Sequence, residues 1–357
     1  MSTTSDRWHL LLHTILQTRR PATVYIFGAM DTGKSTLCRF LRDQLQEHGT
    51  VAYIDCDPGQ SSIGPPTTLG MQLFHHHRPM LRRPLLRSIG STTPLGHLLP
   101  MQTGIKRLAD KALQFQADFM LFDSSGFCLG RAAQEFQIHL LDLLHPAHIV
   151  ALQRGTELES ILAHFDRHPQ MHVHRLPVSD QITPRMQPQR RNYREQRFRD
   201  YFSDARSYRL QTRHLALYGR IPTAGPMHSR NQLIGLCDRE HFLLALGIVQ
   251  TINWPLTEIQ FWAPPFPVQK TAAVHFGSIH LDISGVQLIG RRTFPAPERS
   301  RSDHRALSAD EIEKSPVRSE AQSKQVQKSH DARISVPRKK SEGHSGSTRD
   351  DRPGTAD

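Results

Sequence analysis

The most informative motif of the chain is Gly28-Ala29-Met30-Asp31-Thr32-Gly33-Lys34-Ser35. It fits the pattern G-x-x-x-x-G-K-S/T, in which a glycine-rich loop places successive backbone N–H groups around phosphates. The apolar residues 23–27 predict a buried strand before the loop, and residues 34–48 predict a helix after it. A chance glycine-rich turn would seldom carry both flanks, so we predict a phosphate-binding loop that holds a nucleotide.

Individual residues of this loop are expected to have different roles in nucleotide binding. Lys34 is expected to reach the β- and γ-phosphates, and the Ser35 hydroxyl is expected to ligate Mg²⁺. Contacts to the nucleotide are expected along the whole loop, from Gly28, Ala29, Met30, Asp31, Thr32, Gly33, Lys34, Ser35 and Thr36.

A second candidate motif, Asp55-Cys56-Asp57-Pro58-Gly59-Gln60, follows a predicted strand at residues 51–54. A carboxylate at the end of a strand beside a phosphate loop is well placed to hold a nucleotide-bound metal. Asp55 and Asp57 are two residues apart, so on an extended chain they face the same way, while Cys56 faces the core. Either could hold Mg²⁺ while the other takes a proton from an attacking hydroxyl, or Asp55 could only cap a turn.

Strands and helices alternate along the first half of the chain, which is typical of a parallel sheet covered on both faces. We therefore predict an α/β fold, a P-loop NTPase parallel sheet with helices on both faces, plus a smaller C-terminal β-rich module. The predicted strands are 23–27, 51–54, 119–122 and 148–152; the predicted helices are 8–18, 34–48, 105–116, 133–144, 157–164 and 189–208; and the β-rich part is 215–292.

The excess of positive charge lies in the part of the chain that is predicted to fold. The sequence has 45 Lys and Arg against 33 Asp and Glu, yet residues 294–357 hold 13 basic and 11 acidic residues. Residues 58–109 contain no acidic residue, and residues 185–220 contain ten Arg against three acidic residues. A charge run is often only a solvated face, but two such zones around a nucleotide motif favour a nucleic-acid partner.

Composition excludes several other classes of protein. The four cysteines form no C-x-x-C pair, which argues against a disulfide scaffold or a zinc site and favours a reducing, cytoplasmic compartment. The longest apolar stretches, such as residues 242–252, are shorter than the ~20 residues of a membrane span, so no membrane partner is expected. His75-His76-His77 precedes Arg78 and Pro79 and is interpreted as a loop rather than a metal site.

Six segments, taken in order, resemble the polynucleotide 5′-hydroxyl kinase family, which includes the kinase subunit of the pre-mRNA cleavage factor and the nucleolar ribosomal-RNA processing kinase. The phosphate loop and the Asp57-Pro58-Gly59-Gln60 turn come first. They are followed by Ser91-Thr92-Thr93-Pro94, which resembles a clasp that grips the nucleic acid. Then come Asp123-Ser124-Ser125-Gly126-Phe127, a strand-end motif, Leu152-Gln153-Arg154, near the nucleotide base, and the Arg-rich stretch 190–202, which resembles a lid helix.

The resemblance implies transfer of the ATP γ-phosphoryl group to the 5′-hydroxyl of RNA or of single-stranded DNA, and it covers roughly residues 20–290. It implies that Asp57 is the catalytic carboxylate and that Ser35, Asp57 and Gln60 hold the metal. Gln153 and Arg154 are expected at the base. Arg194 and Arg199 are expected to be the lid arginines, with Arg191 and Arg197 behind them. The residues expected to contact the nucleic acid are Thr92, Thr93, Phe127, Arg191 and Arg197.

The predicted organisation has four parts. Residues 1–20 form an N-terminal helix, 21–206 form the P-loop kinase domain with its lid near 185–206, 207–293 form the β-rich module, and 294–357 form a disordered tail. Two other functions stay open: an RNA-processing scaffold that holds ATP as a structural ligand, and a P-loop switch ATPase without nucleic acid. A scaffold does not need lid arginines. A switch ATPase does not explain why residues 58–109 contain no acidic residue.

Overall fold

The structure is a computed structural model that describes residues 4–223 and 229–288. The predicted tail 294–357 and the last residues of the predicted β-rich part lie outside the described residues. Helices and strands of the first part are α1 (Thr4–Leu16), β1 (Ala22–Gly28), α2 (Lys34–Leu45), β2 (Val51–Cys56), β3 (Thr68–His75), β4 (Arg78–Pro79), β5 (Leu85–Ser88), α3 (Leu98–Gln114), β6 (Phe119–Ser124), α4 (Arg131–Leu144), β7 (His148–Gln153), α5 (Glu159–Leu162), β8 (His172–Pro177) and α6 (Gln187–Tyr201).

The first sheet has the strand order β4-β3-β2-β6-β1-β7-β8, with β5 paired to β3. The five strands from β2 to β8 in this order are parallel to one another. Strand β3 runs antiparallel to β2 and continues the sheet beyond it. Helices α1 and α2 cover one face of the sheet and form one apolar cluster with it. Helices α3, α4 and α5 cover the other face and form a second apolar cluster. The predicted α/β class with helices on both faces is therefore confirmed, and the antiparallel strands at one edge are an addition to it.

The second sheet is built from the C-terminal part of the chain. Its strands are β9 (Arg206–Gln211), β10 (Ala216–Gly219), β11 (Gln232–Cys237), β12 (Leu243–Asn253), β13 (Glu258–Ala263), β14 (Ala273–Leu281) and β15 (Gln287–Leu288). Their order is β10-β14-β11-β12-β13-β9, mostly antiparallel, with β15 added to β14. The predicted C-terminal β-rich module is thus confirmed as a second sheet.

The predicted helix at 189–208 is wrong at its C-terminal end, because α6 ends at Tyr201. Residues 206–211 form β9 instead, where Tyr208 stacks on Phe261 with ring centroids 5.8 Å apart. Phe198 and Phe202 bury themselves against the second sheet, so the end of α6 belongs to that core. No described helix is long and apolar enough to cross a membrane.

Candidate active site

The phosphate loop lies between the end of β1 and the start of α2, where the sequence predicts it. Gly33 has a φ of +92°, a conformation that a side chain disfavours. A Cβ on Gly28 would lie 2.4 Å from the Leu152 carbonyl oxygen of the neighbouring strand β7. Both glycines are therefore required by geometry, one by its backbone conformation and the other by a close approach.

A cavity of about 500 Å³ opens over this loop at the carboxyl ends of the parallel strands. Because parallel strands end at the same edge, the loops after β1, β2 and β6 meet there. The predicted site residues that line it are Met30, Asp31, Thr32, Gly33, Lys34, Ser35, Thr36, Asp57, Gln60, Thr92, Thr93, Phe127 and Arg194. Segments far apart in the sequence thus share one cavity.

Lys34 is nearly buried, with 7% of its surface exposed. Its Nζ donates hydrogen bonds to the carbonyl oxygens of Gly28, at 3.0 Å, and Ala29, at 2.8 Å. The ammonium group is therefore held within its own loop, where phosphate oxygens would be its alternative partners.

The two aspartates after β2 have different surroundings. Asp55 is buried and uses both carboxylate oxygens: Oδ1 accepts from the Asp57 N–H, and Oδ2 accepts from Ser61, Ser62 and Ile63. Burial, with the nearby Asp123 carboxyl, raises the pKa of Asp55 to about 7. Asp55 therefore organises the turn, which is the capping role that the sequence left open.

Asp57 uses only one of its oxygens in the turn. Oδ1 accepts from the N–H groups of Gly59, at 2.8 Å, and Gln60, at 3.1 Å. No hydrogen bond from the described residues reaches Oδ2, and Asp57 lines the cavity. The backbone bonds thus hold the carboxylate in place and leave one oxygen for chemistry.

Asp123, at the end of β6, is a cavity residue to which the sequence gave no role. Its Oδ2 accepts from the Tyr53 hydroxyl at 2.7 Å, and its Oδ1 is buried without a hydrogen-bond partner. Burial raises the pKa of this carboxyl, while Tyr53 and the nearby Ser35 hydroxyl oppose the rise. The signal in the sequence was a carboxylate that directly follows an apolar strand, as at Asp55.

The donor set around Ser35 fits a magnesium ion. Gln60 Oε1 and Asp123 Oδ1 are both buried oxygens without a partner, and both residues line the cavity beside Ser35. Among the described residues, no group of three or more His, Cys, Asp or Glu is placed to hold a metal. Mg²⁺ commonly takes only one or two protein carboxylates together with phosphate oxygens, and a sparse set of oxygen donors meets that need.

Helix α6 faces the cavity with Arg190 and Arg194, which are one turn apart. Arg190 forms an ion pair with Asp31 of the phosphate loop, and the Arg185 N–H donates to the same carboxylate at 3.0 Å. Burial lowers the pKa of Arg194, and the Asp57 carboxylate, which lines the same cavity, opposes this effect. Arg199 is exposed, donates to Gln196 and does not line the cavity.

The two reserve lid arginines also lie outside the cavity lining. Arg191 is exposed and pairs with Glu195 at 2.7 Å. Arg197 donates to the Gly64 carbonyl oxygen at 2.6 Å, and the Tyr193 hydroxyl donates to the Ser61 carbonyl oxygen at 3.0 Å. These last two contacts fasten α6 to the loop after the Asp57 turn.

The remaining predicted residues divide between the cavity and its surroundings. Phe127 is half-buried, forms a T-shaped ring contact with Phe136 and lines the cavity together with the clasp threonines. Arg154 donates to the Asp31 carbonyl oxygen at 3.1 Å at the outer side of the phosphate loop. Gln153 is buried, does not line the cavity, and bonds Glu159 and the Leu158 N–H, so it supports the start of α5.

Comparison with known proteins agrees with this arrangement. The family model for the mRNA cleavage and polyadenylation factor CLP1 P-loop matches residues 28–204. A polyribonucleotide 5′-hydroxyl-kinase of Pyrococcus abyssi is 26% identical over 335 residues, which cover 78% of this chain and 93% of that protein. A polyribonucleotide 5′-hydroxyl-kinase of Methanocaldococcus jannaschii is 24% identical over 341 residues, with 79% and 93% covered.

A solved structure has the same fold. It is the wild-type Clp1p–Pcf11p complex, whose matching chain superposes with a TM-score of 0.61 at 15% identity, with 78% of this chain and 79% of that chain covered. At this identity the likeness concerns the fold alone. The phosphate loop, the Asp57 turn and the Arg-rich helix all fall inside the matched range 28–204, and the chain belongs to the CLP1 P-loop family.

Proposed function

We propose that the protein is an ATP-dependent polynucleotide 5′-hydroxyl kinase that acts on RNA and also on single-stranded DNA. The observation that carries this proposal is the Asp57 carboxylate. It stands in one cavity between the phosphate loop and the clasp threonines, with Oδ2 unused by the described residues. The relatives named polyribonucleotide 5′-hydroxyl-kinase support it, because they match the chain over most of its length.

ATP would bind with its phosphates on the loop 28–36. The backbone N–H groups at the start of α2 and the Lys34 ammonium supply positive charge there. Lys34 would exchange its bonds to the Gly28 and Ala29 carbonyl oxygens for bonds to phosphate oxygens. Phe127 lines the same cavity, and a base of the acceptor strand would stack on its ring.

In the transfer step, the acceptor 5′-oxygen forms a bond to the γ-phosphorus, and the bond from that phosphorus to the β–γ bridging oxygen breaks. ADP leaves, and the hydroxyl proton passes to Asp57 Oδ2. The bonds from Gly59 and Gln60 hold Asp57 Oδ1 and so fix the direction of Oδ2.

Arg194 supplies charge to the transferring oxygens from the lid side, because it lines the cavity close to Asp57. Arg190 also lies on α6 and lines the cavity, where its ion pair with Asp31 holds it in place. Ser35, Asp123 and Gln60 are the residues that would hold Mg²⁺, which neutralises charge on the β- and γ-phosphates.

The test is phosphorylation of matched oligonucleotides by the purified protein with labelled ATP and Mg²⁺. RNA and DNA of one sequence, each with a 5′-hydroxyl end, should become labelled, whereas the same strands with a 5′-phosphate should not. Tight ATP binding without transfer to any acceptor would favour the scaffold. ATP hydrolysis that is insensitive to oligonucleotide would favour the switch ATPase, and either result would overturn the proposal.

A further inference from the structure

Strand β14 bulges at residues 277–279, on the side of the second sheet that meets the clasp. The register between β11 and β14 shifts there, because Gln232 faces His280 whereas Ile234 faces Phe276. Three residues of β14 therefore face one residue of β11. A bulge of this kind takes backbone groups out of the ladder and aims them elsewhere.

The group that the bulge redirects is the Ser278 N–H. It donates to the Gly90 carbonyl oxygen at 2.8 Å, and the Ser278 hydroxyl reaches the same oxygen at 3.2 Å. Gly90 is the residue directly before the clasp loop, which we define as residues 91–94. The second sheet thus holds the base of the clasp loop with two hydrogen bonds to a single atom.

The bulge has its own support from a buried side chain. Gln232 is 4% exposed, and its Nε2 donates to the carbonyl oxygens of Gly277 and Arg220, both at 2.8 Å. A Cβ on Gly277 would lie 2.8 Å from the Gly90 carbonyl oxygen and 3.0 Å from the Gly90 Cα, and also 2.9 Å from the Leu233 carbonyl oxygen of β11. The two backbones therefore meet as glycine against glycine, and a larger residue at 277 would push the clasp loop away.

From Gly90 the hydrogen bonds continue to the Asp57 turn. The Gly90 N–H donates to the Thr67 carbonyl oxygen at 3.2 Å, and the Thr67 N–H donates to the Pro58 carbonyl oxygen at 2.7 Å. A Cβ on Gly59 would lie 2.6 Å from the Thr92 carbonyl oxygen, so the turn and the clasp loop also touch directly. A continuous series of backbone contacts thus joins Ser278 to the turn that carries Asp57.

We infer that the β14 bulge at Gly277 and Ser278 is a positioning element for the acceptor strand. It fixes the clasp loop and the Asp57 turn in one relative geometry, and so the C-terminal sheet sets the affinity for the polynucleotide rather than for ATP. This inference rests on the proposed function. The phosphate loop does not take part in this series of contacts, so ATP binding should be largely independent of the bulge.

The test variant is Gly277→Ala, with Gly247→Ala as its matched control. Gly247 lies in β12, where an added Cβ would meet the side chains of Phe261, Ile234 and Leu236 inside the same sheet, away from the clasp loop. Both changes strain the C-terminal sheet, but only one pushes on Gly90. For Gly277→Ala we expect the KM for a 5′-hydroxyl oligonucleotide to rise at least about fivefold, a loss of binding worth about 1 kcal/mol, with the KM for ATP unchanged. An equal rise in both KM values, or the same rise in Gly247→Ala, would overturn the inference.

A second readout separates this inference from the proposed function, because it needs no catalysis. Amide hydrogen exchange at residues 91–93 should speed up in Gly277→Ala and, to a smaller extent, in Ser278→Ala, but not in Gly247→Ala. If the wild-type protein phosphorylates no oligonucleotide, the proposed function fails while this exchange pattern still decides the inference. Unchanged exchange at residues 91–93 in both Gly277→Ala and Ser278→Ala would refute it.

Discussion

The phosphate loop and helix α6 each contribute a wall of the same cavity, yet they are built in different ways. The loop is one continuous stretch whose shape follows from its own glycines and from the strand and helix at its ends. Helix α6 takes its orientation from partners remote in the sequence: Asp31, Ser61, Gly64 and the core of the second sheet. One wall is therefore specified locally and the other by tertiary contacts.

This difference decides which arginines reach the cavity. Along α6, arginines occur at nearly every helical face, so the sequence alone does not select among them. The contacts of Tyr193 and Arg197 with the loop after the Asp57 turn, and the burial of Phe198, fix the rotation of the helix. With that rotation, Arg190 and Arg194 face the cavity, and Arg199 faces solvent.

The largest effect is expected at the locally specified wall. Lys34→Ala should lower turnover by at least about 1000-fold, because the transferring phosphate loses its main cation. The control is Lys106→Ala, which removes the same charge from a partly exposed ion pair with Asp110 on α3, outside the cavity lining, and should leave turnover near the wild-type value. Comparable losses in both variants would show that overall charge, rather than the loop, carries the activity.

The fold was predictable wherever a segment carries its own signal. The buried strands β1, β2, β6 and β7 are apolar runs that end in turn residues, and all four were found within two residues of their observed bounds. The strands β3, β5 and β8 were missed because they are only partly apolar and gain their pairing partners from elsewhere in the sheet. β9 was assigned to a helix because its residues 206–208 continue the basic run of α6, and only pairing with β13 makes them a strand.

The second prediction compares two aspartates in one turn. Asp57→Asn should lower turnover by about 100-fold or more, because the amide cannot accept the hydroxyl proton, while the KM for ATP changes little. The amide oxygen can still accept from Gly59 and Gln60, so stability should be nearly unchanged.

Asp55→Asn is the matched change two residues away, and the opposite outcome is expected. Asp55 accepts hydrogen bonds at both oxygens, so an NH₂ group at either position would face donors. The free energy of unfolding should fall by about 2 kcal/mol, measured by denaturant titration. Full stability in Asp55→Asn, or strong destabilisation in Asp57→Asn, would reverse the roles assigned to the two residues.

The candidate site was predictable only in part, and the gaps have physical causes. Asp57, Lys34 and Ser35 belong to short motifs whose spacing carries their chemistry. Asp123 was named only as part of the strand-end motif and received no role of its own, because its closeness to Ser35 arises from the pairing of β1 with β6. Gln153 was assigned to the nucleotide because of the strand end on which it lies, but its side chain is used to hold α5.

The third prediction concerns the wall that tertiary contacts specify. Arg194→Lys keeps the charge but replaces a planar fork that binds phosphate oxygens at two points with a single ammonium group. Turnover at saturating ATP and oligonucleotide should fall by about tenfold, with a smaller change in either KM. A wild-type rate in Arg194→Lys would show that only the positive charge of this residue matters and not the geometry of its guanidinium group.

The smallest effect is expected at Arg199, and it is the sharpest test of how α6 is oriented. Arg199 has the same residue type, the same helix and a place only five residues from Arg194, but it is exposed and bonded to Gln196. Arg199→Lys should therefore leave turnover within about twofold of the wild-type value, since an exposed pair of this kind contributes little.

The measurement is the ratio of turnover between the Arg194→Lys and Arg199→Lys variants, taken at several salt concentrations. If nucleic acid felt only the total charge of α6, both variants would behave alike and vary together with salt. A drop in Arg199→Lys as large as that in Arg194→Lys would mean that α6 rotates or shifts by about a turn when both substrates bind, so that the contacts of Tyr193 and Arg197 do not fix the catalytic orientation of the helix.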